Sequence, residues 1–224
     1  MQKKARKYFL IAFAIILVDQ ITKLIVKLNM ALGDEIHIIG DFFKIHFIEN
    51  KGAAFGLTVA HIFNGFGLEM SEVTSKLILS IFSIIAVIFI GYFLYKLTEH
   101  RSPLPYFVAL IFGGALGNII DRTFYGLFFA DINKYEGGLF HGRVVDMFYF
   151  DIWYGALPNW IPFIGGDLYS LWPIFNIADS AISVGIVVIL IFQGKFFKMD
   201  AEAQKDSPKD ASSPSNSPIS PKNA

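Results

Sequence analysis

Four carboxylates occupy sequence positions that offer them little water. Asn176 and Asp179 stand three apart inside LWPIFNIADSAISVGIVVILIF (171–192), and Asn118 and Asp121 stand three apart in GNIIDR, with Arg122 next in line. Asp19 and Lys23 are four apart in DQITK, a spacing that puts them on one helical face as an ion pair. Asp146 is embedded in GRVVDMFYFDIW, where apolar and aromatic neighbours should partly desolvate its carboxyl and raise its pKa. Two aspartates held at close range cannot both ionise easily, so one keeps a proton while the other can take one from water. Such a pair supplies a general acid and a general base without a covalent intermediate.

Other common chemistries lack their residues. There is no HExxH, the five histidines (His37, His46, His61, His100 and His141) are scattered, and there is no cysteine, so no metal or other cofactor is expected. No serine sits in a GxSxG elbow, and GGALGN lacks the Lys-Ser/Thr pair of a phosphate loop. Acids in apolar segments also serve as ion or proton paths and as structural contacts. On the residues alone, an ion-coupled or proton-path transporter using Asp146 and Asp179, or a non-catalytic scaffold, stands beside the catalytic reading.

These side chains need elements to hold them, and composition says which. The chain is 54% hydrophobic, carries 24 Phe and is 17% charged, and the charges avoid several runs of about 20 residues. Four membrane spans are predicted, from Tyr8 to Leu28, Leu77 to Tyr95, Leu104 to Ile120, and over 171 to 192. The first holds Asp19, Lys23 and Lys27 and follows KKARK, as a cleaved signal peptide would, but DQITK stands where a small-residue cleavage site is needed. The third ends in small residues that let helices approach closely. The aromatic runs FYF (148–150) and YSLW (169–172) read as interface anchors.

Lysine and arginine placement sets the orientation. Residues 1–7 hold four basic groups, 96–103 hold two, and Lys195 and Lys198 follow the last span. The connections 29–76 and 121–170 together hold six, with twice as many acids. Both termini are therefore expected in the cytoplasm and both long connections outside, which places Asn176 and Asp179 near the outer membrane boundary. Nothing resembles a basic nucleic-acid surface, so no nucleic-acid partner is expected.

Five separated blocks, in order, carry a family resemblance over residues 8 to 193. DQITK, ENKGAAFG (Asn50, Gly52, Ala53, Ala54, Phe55), GNIIDR, GRVVDMF and FNIADS resemble the blocks of the bacterial lipoprotein signal peptidases, the type II signal peptidase family. The resemblance implies an intramembrane aspartyl endopeptidase of the inner membrane that removes the signal peptide from diacylglyceryl-modified prolipoproteins by cutting before the lipidated cysteine. It implies Asp146 and Asp179 as the catalytic dyad. Asn50, Gly52, Gly117, Asn118, Asp121, Arg122 and Asn176 would shape the pocket or bind substrate backbone, and Asp19 and Lys23 would support the first helix. Membrane lipid and globomycin-type peptide inhibitors are the other implied partners, and a monomer is expected.

The fold expected is an all-α polytopic membrane protein, with four transmembrane helices, a small extracytoplasmic β cradle and extended outer loops. The cradle is expected within 42–60, where FFKIHFIENKGAAFGLTVA alternates and then turns at small residues, and AHIFNGFGLEM after it could lie on the membrane as a lid. Residues 1–199 are expected to form the peptidase domain. Residues 200–224, rich in Ser, Pro, Asp and Lys, are expected to be a disordered cytoplasmic tail.

Overall fold

The computed structural model describes residues 2–52, 63–64, 69–133, 135, 137–156, 158–160, 166, 168–170 and 172–205. Four helices dominate: α1 (Gln2–Asn29), α2 (Glu72–Leu97), α3 (Leu104–Ile120) and α4 (Ile177–Lys205). Each is long and apolar enough to cross a bilayer, α3 with the help of the turns that extend it to Phe128. Large apolar side chains such as Phe13, Phe82, Phe89 and Leu190 are exposed on their outer faces. Lipid is the solvent such faces fit, since a helix already pairs its own backbone. The architecture is that of a polytopic all-α membrane protein with a small sheet at one end.

α3 is the hub and packs on α1, α2 and α4. Its glycines explain why. An added Cβ at Gly114 would collide with the Ala178 carbonyl oxygen of α4, and one at Gly113 would lie 2.7 Å from the Ala12 carbonyl oxygen of α1. Gly114→Ala is expected to destabilise the protein by about 1–3 kcal/mol, the usual cost of overpacking. Gly194→Ala, where an added Cβ meets nothing, should leave thermal unfolding in detergent nearly unchanged.

α3 does not stop at Ile120. A π-helical turn (Asp121–Tyr125) and a short helical turn (Gly126–Phe128) prolong it. The widened turn lets Asp121 and Tyr125 both reach Gln20 of α1: Gln20 Nε2 donates to Asp121 Oδ1 at 2.9 Å, and Tyr125 Oη donates to Gln20 Oε1 at 3.1 Å. Such π turns recur at functional sites.

The cradle is a three-stranded antiparallel sheet in the order β1 (Glu35–Ile39), β2 (Phe43–Asn50), β3 (Val144–Phe150). β2 pairs with β3 in a register that sets Ile48 opposite Asp146 and Asn50 opposite Val144, so these side chains share one face. The other face contributes Phe47, Val145 and Met147 to a core with Val26 and Tyr125. A second small sheet pairs β4 (Tyr154–Ala156) with β5 (Leu168–Ser170).

Several boundaries differ from those expected. The cradle begins at Glu35, outside 42–60, because β1 is exposed along its whole length and shows no in/out alternation. Ala53, Ala54, Phe55 and most of the lid segment lie outside the described residues. Phe148 and Phe150 of FYF pack on Phe43 and Phe175 at the edge of the sheet. The fourth helix starts at Ile177 rather than near 171: Pro173 disfavours helix in the residue before it, and Phe175 is held extended by bonds to Phe148. At its other end α4 runs past 199 to Lys205, through Ala, Glu and Gln that favour helix, with Asp200 anchored to the turn between α2 and α3. Residues 206–224 lie outside the described residues.

Candidate active site

The start of α4 assembles the site. Asn176 is the residue before the first helical position, and Asp179 is the third residue in. Asn176 Oδ1 accepts the Asp179 N–H at 2.9 Å, while Asp179 Oδ2 accepts the Asn176 N–H at 3.3 Å. This reciprocal pattern is a capping box, which satisfies helix N–H groups that have no partner within the helix. Asp19 of α1 completes the cap from outside, with its Oδ1 accepting the Ala178 N–H at 2.9 Å. The spacing NxxD thus has a local structural cause.

Asp146 arrives from the sheet. It is 1% exposed on β3, and Asn176 Nδ2 donates to its Oδ1 at 2.6 Å. Asn50 on β2 donates to the same carboxylate; its own oxygen is engaged by the Gly52 N–H at 2.8 Å, which turns the amide nitrogen toward Asp146. Gly52 makes this turn at φ +91, and an added Cβ there would run into Leu79. Burial, and then the negative charge of Asp179, push the Asp146 carboxyl up to about 7, against the pull of Asn50, Lys23 and Asn176. Asn176 therefore bonds both aspartates, the Asp146 carboxylate through its amide nitrogen and Asp179 through its amide oxygen and backbone N–H, and near pH 7 the Asp146 carboxyl can hold a proton.

Behind this pair lies a fully buried ionic cluster. Lys23 Nζ is 2.9 Å from Asp19 Oδ2, 2.9 Å from Asp121 Oδ2, and donates to Asn118 Oδ1 at 2.8 Å. A lysine can only donate, so the Asn118 oxygen must face Lys23. Its nitrogen then faces the other way and donates to Asp179 Oδ1 at 2.8 Å. Asp121 also accepts the Val145 N–H at 3.2 Å, which ties the end of α3 to the strand that carries Asp146. Gly117 makes room for the cluster: a Cβ there would stand 2.7 Å from Asp19 Oδ2.

Arg122 is not paired with its sequence neighbour Asp121. Its Nη1 donates to Ser83 Oγ of α2 at 3.4 Å, and its buried Nε has no partner among the described residues. It lies within electrostatic reach of both Asp179 and Asp146.

With this geometry, the comparisons with known proteins are decisive. The family described as signal peptidase (SPase) II matches residues 11–195. The chain belongs to the signal peptidase II family. The lipoprotein signal peptidase of Porphyromonas gingivalis is 39% identical over 209 residues, covering 87% of this chain and 86% of that protein. That of Amoebophilus asiaticus is 34% identical, covering 85% and 79%. A solved bacterial membrane enzyme shares 26% identity at a TM-score of 0.53, covering 92% of this chain and 94% of its own.

In this chain the site residues named from sequence converge on one end of the helices. Asp146, Asp179, Asn50, Asn118 and Asn176 are directly linked; Asp19, Lys23 and Asp121 form the cluster beneath; Gly117 provides clearance and Gly52 the turn. The Asp19–Lys23 pair does more than stiffen α1, since it caps α4 and bridges to α3. Three polar contributors had no assigned role. Gln20 lies inside the DQITK block and bridges Asp19, Asp121 and the Gly117 carbonyl. Tyr125, four residues after Asp121, was visible only as one more aromatic. Lys27, the third charge in the first span, pairs with Glu49 and donates to Asn133 Oδ1 at 2.8 Å, which pins α1 to β2.

Proposed function

We propose that this chain is a lipoprotein signal peptidase that hydrolyses the peptide bond just before a diacylglyceryl-modified cysteine, with Asp146 and Asp179 as its catalytic pair. The observation that carries the reading is the single residue Asn176 engaging both carboxylates, buried Asp146 through its side chain and half-buried Asp179 through its backbone N–H. In the resting pair one proton is shared. As a water oxygen adds to the scissile carbonyl carbon, the ionised carboxylate takes the water proton and the protonated partner donates to the carbonyl oxygen. As the C–N bond breaks, the departing nitrogen takes the proton the pair now holds and the other carboxylate takes one proton from a hydroxyl of the tetrahedral intermediate, so the pair ends with one proton again. The products are the signal peptide carboxylate and the free amino group of the lipidated cysteine. Base and acid are not assigned to individual residues, because a coupled pair titrates as a unit.

The surroundings suit these steps. The N-terminus of α4 carries a partial positive charge that favours the ionised carboxylate. Arg122, whose buried Nε has no partner among the described residues and which lies within electrostatic reach of the pair, is placed to hold substrate backbone or charge developing on the carbonyl oxygen. One chain holds every residue named here, which supports a monomer. The charge distribution supports cytoplasmic termini and a dyad at the outer leaflet of the bacterial inner membrane. There the acyl chains of the substrate can remain in lipid, each buried methylene contributing about 0.8 kcal/mol. Globomycin-type peptides are expected to compete for the same pocket.

The test uses purified, reconstituted protein and one precursor with and without the diacylglyceryl group. Cleavage before the cysteine of the lipidated form is expected, and absence of product or a cut elsewhere would contradict the reading. A pH series on the same assay adds a sign. Above about 7 the proton that burial and Asp179 hold on Asp146 is lost, leaving two carboxylates and no acid, so kcat/KM is expected to fall as pH rises through that value. A rate that keeps rising to pH 9 would count against a shared proton.

A further inference from the structure

The opposite end of the helices holds a cavity of about 300 Å³ between the N-terminal part of α1, the turn 98–103 and the first turn of α3. Lys7, Tyr8, His100, Arg101, Ser102 and Tyr106 line it. Lys7 is fixed there without being neutralised. Its Nζ donates to the Tyr106 hydroxyl at 2.9 Å and lies 4.6 Å and 4.9 Å from the ring centres of Tyr8 and Tyr106, all uncharged partners. Arg101 is exposed, and its guanidinium has no ion pair among the described residues.

The backbone that presents Arg101 is locked from α4. Asp200 accepts from Arg101 N at 3.0 Å, Ser102 N at 2.9 Å and Ser102 Oγ at 2.8 Å, and bonds His100 Nδ1 at 2.7 Å. Asp200 holds the turn from below and is not among the residues that line the cavity. Glu99, the other nearby acid, is exposed and also outside the lining. Two cations with no ion pair among the described residues thus face one ligand-sized space, near the lower end of ordinary binding cavities at roughly 300 Å³.

We propose that this cavity receives the phosphate of an anionic phospholipid headgroup. Position favours a lipid over a soluble phosphate. The cavity sits where three spans meet the membrane boundary, at the end that the basic residues assign to the cytoplasm. Leu10, three residues on from Lys7 and on the same helical face, is exposed, so acyl chains below a bound phosphate would continue along lipid-facing surface. Basic pockets between spans on the cytoplasmic side suit anionic headgroups. The inference rests on the membrane reading alone and is independent of the catalytic one.

The full chain is purified in detergent and titrated with phosphatidylglycerol or phosphatidylcholine of identical acyl chains, and retained lipid is counted by native mass spectrometry. Phosphatidylglycerol is expected to be retained preferentially. Lys7→Gln with Arg101→Gln should weaken it about 25-fold, about fivefold per cation. Arg101→Gln alone, whose side chain makes no described contact, serves as the variant that must fold and should lose about fivefold. Equal retention of the two lipids, or unchanged retention by the variants, would overturn the proposal. Displacement of phosphatidylglycerol by millimolar inorganic phosphate would also overturn it, by making the ligand a soluble phosphate.

Discussion

Asp179→Asn is expected to leave a folded protein that has lost roughly 10²–10⁴-fold or more of its cleavage rate. The separation of the two effects comes from the double use of this residue. As the third residue of α4, Asp179 accepts the Asn176 N–H through Oδ2 and a bond from Asn118 through Oδ1. An asparagine can still accept one of these through its single oxygen, so the cap survives in part, while the charge and the proton capacity are gone. Asp179→Ala loses both side-chain bonds, its half of the capping box and the one from Asn118, and should unfold more easily by about 0.5–2 kcal/mol. Asp146→Asn should match Asp179→Asn in rate. Its effect on stability should be small, because an asparagine keeps the shape and neutrality of the protonated carboxyl and an oxygen to accept from Asn176. Cleavage of a lipidated precursor, read beside thermal unfolding in detergent, separates these cases. Equal loss of stability and activity in Asp179→Asn would mean that the residue is only a cap.

Lys23→Met is expected to be among the most destabilising single changes in the chain, by about 3–5 kcal/mol, the range for breaking a buried ion pair. Lys23 is 0% exposed and neutralises two carboxylates that are also 0% exposed, Asp19 and Asp121. Without it both acids stay buried, and each still holds an element: Asp19 caps α4 and Asp121 ties α3 to β3. A neutral replacement of the cluster should recover part of the loss. Lys23→Met combined with Asp19→Asn and Asp121→Asn keeps acceptors for those backbone N–H groups and leaves no unpaired charge. Thermal unfolding of the single and triple variants decides the point, and a triple variant less stable than the single one would contradict this account of the cluster.

Much of the site is legible in the sequence because membrane depth makes polar residues costly. Asp19, Lys23, Asn118, Asp121, Asn176 and Asp179 stand out against apolar runs, and their spacings of three and four are helical. What the spacing hides is the direction of pairing. Lys23 lies one turn from Asp19, yet it also bonds two residues on α3, and Arg122 beside Asp121 turns to α2 instead. The cradle is less legible. β1 carries no alternation because both of its faces are exposed, and β3 reads as an apolar run because Val144, Val145, Asp146 and Met147 are all buried. The start of α4 is misplaced when hydropathy alone sets the span, since LWPIF is as apolar as the helix it precedes. The cap residues mark the true start.

The most direct test of the central claim is an infrared titration of the carboxyl groups, comparing the wild type with Asp146→Asn and Asp179→Asn. A shared-proton pair predicts a protonated carboxyl band in the wild type that disappears around pH 7, is absent from Asp146→Asn, and moves to lower pH in Asp179→Asn, where the neighbouring charge has been removed. A wild-type protein whose Asp146 ionises near the ordinary aspartate value of about 4, unmoved by Asp179→Asn, would contradict it.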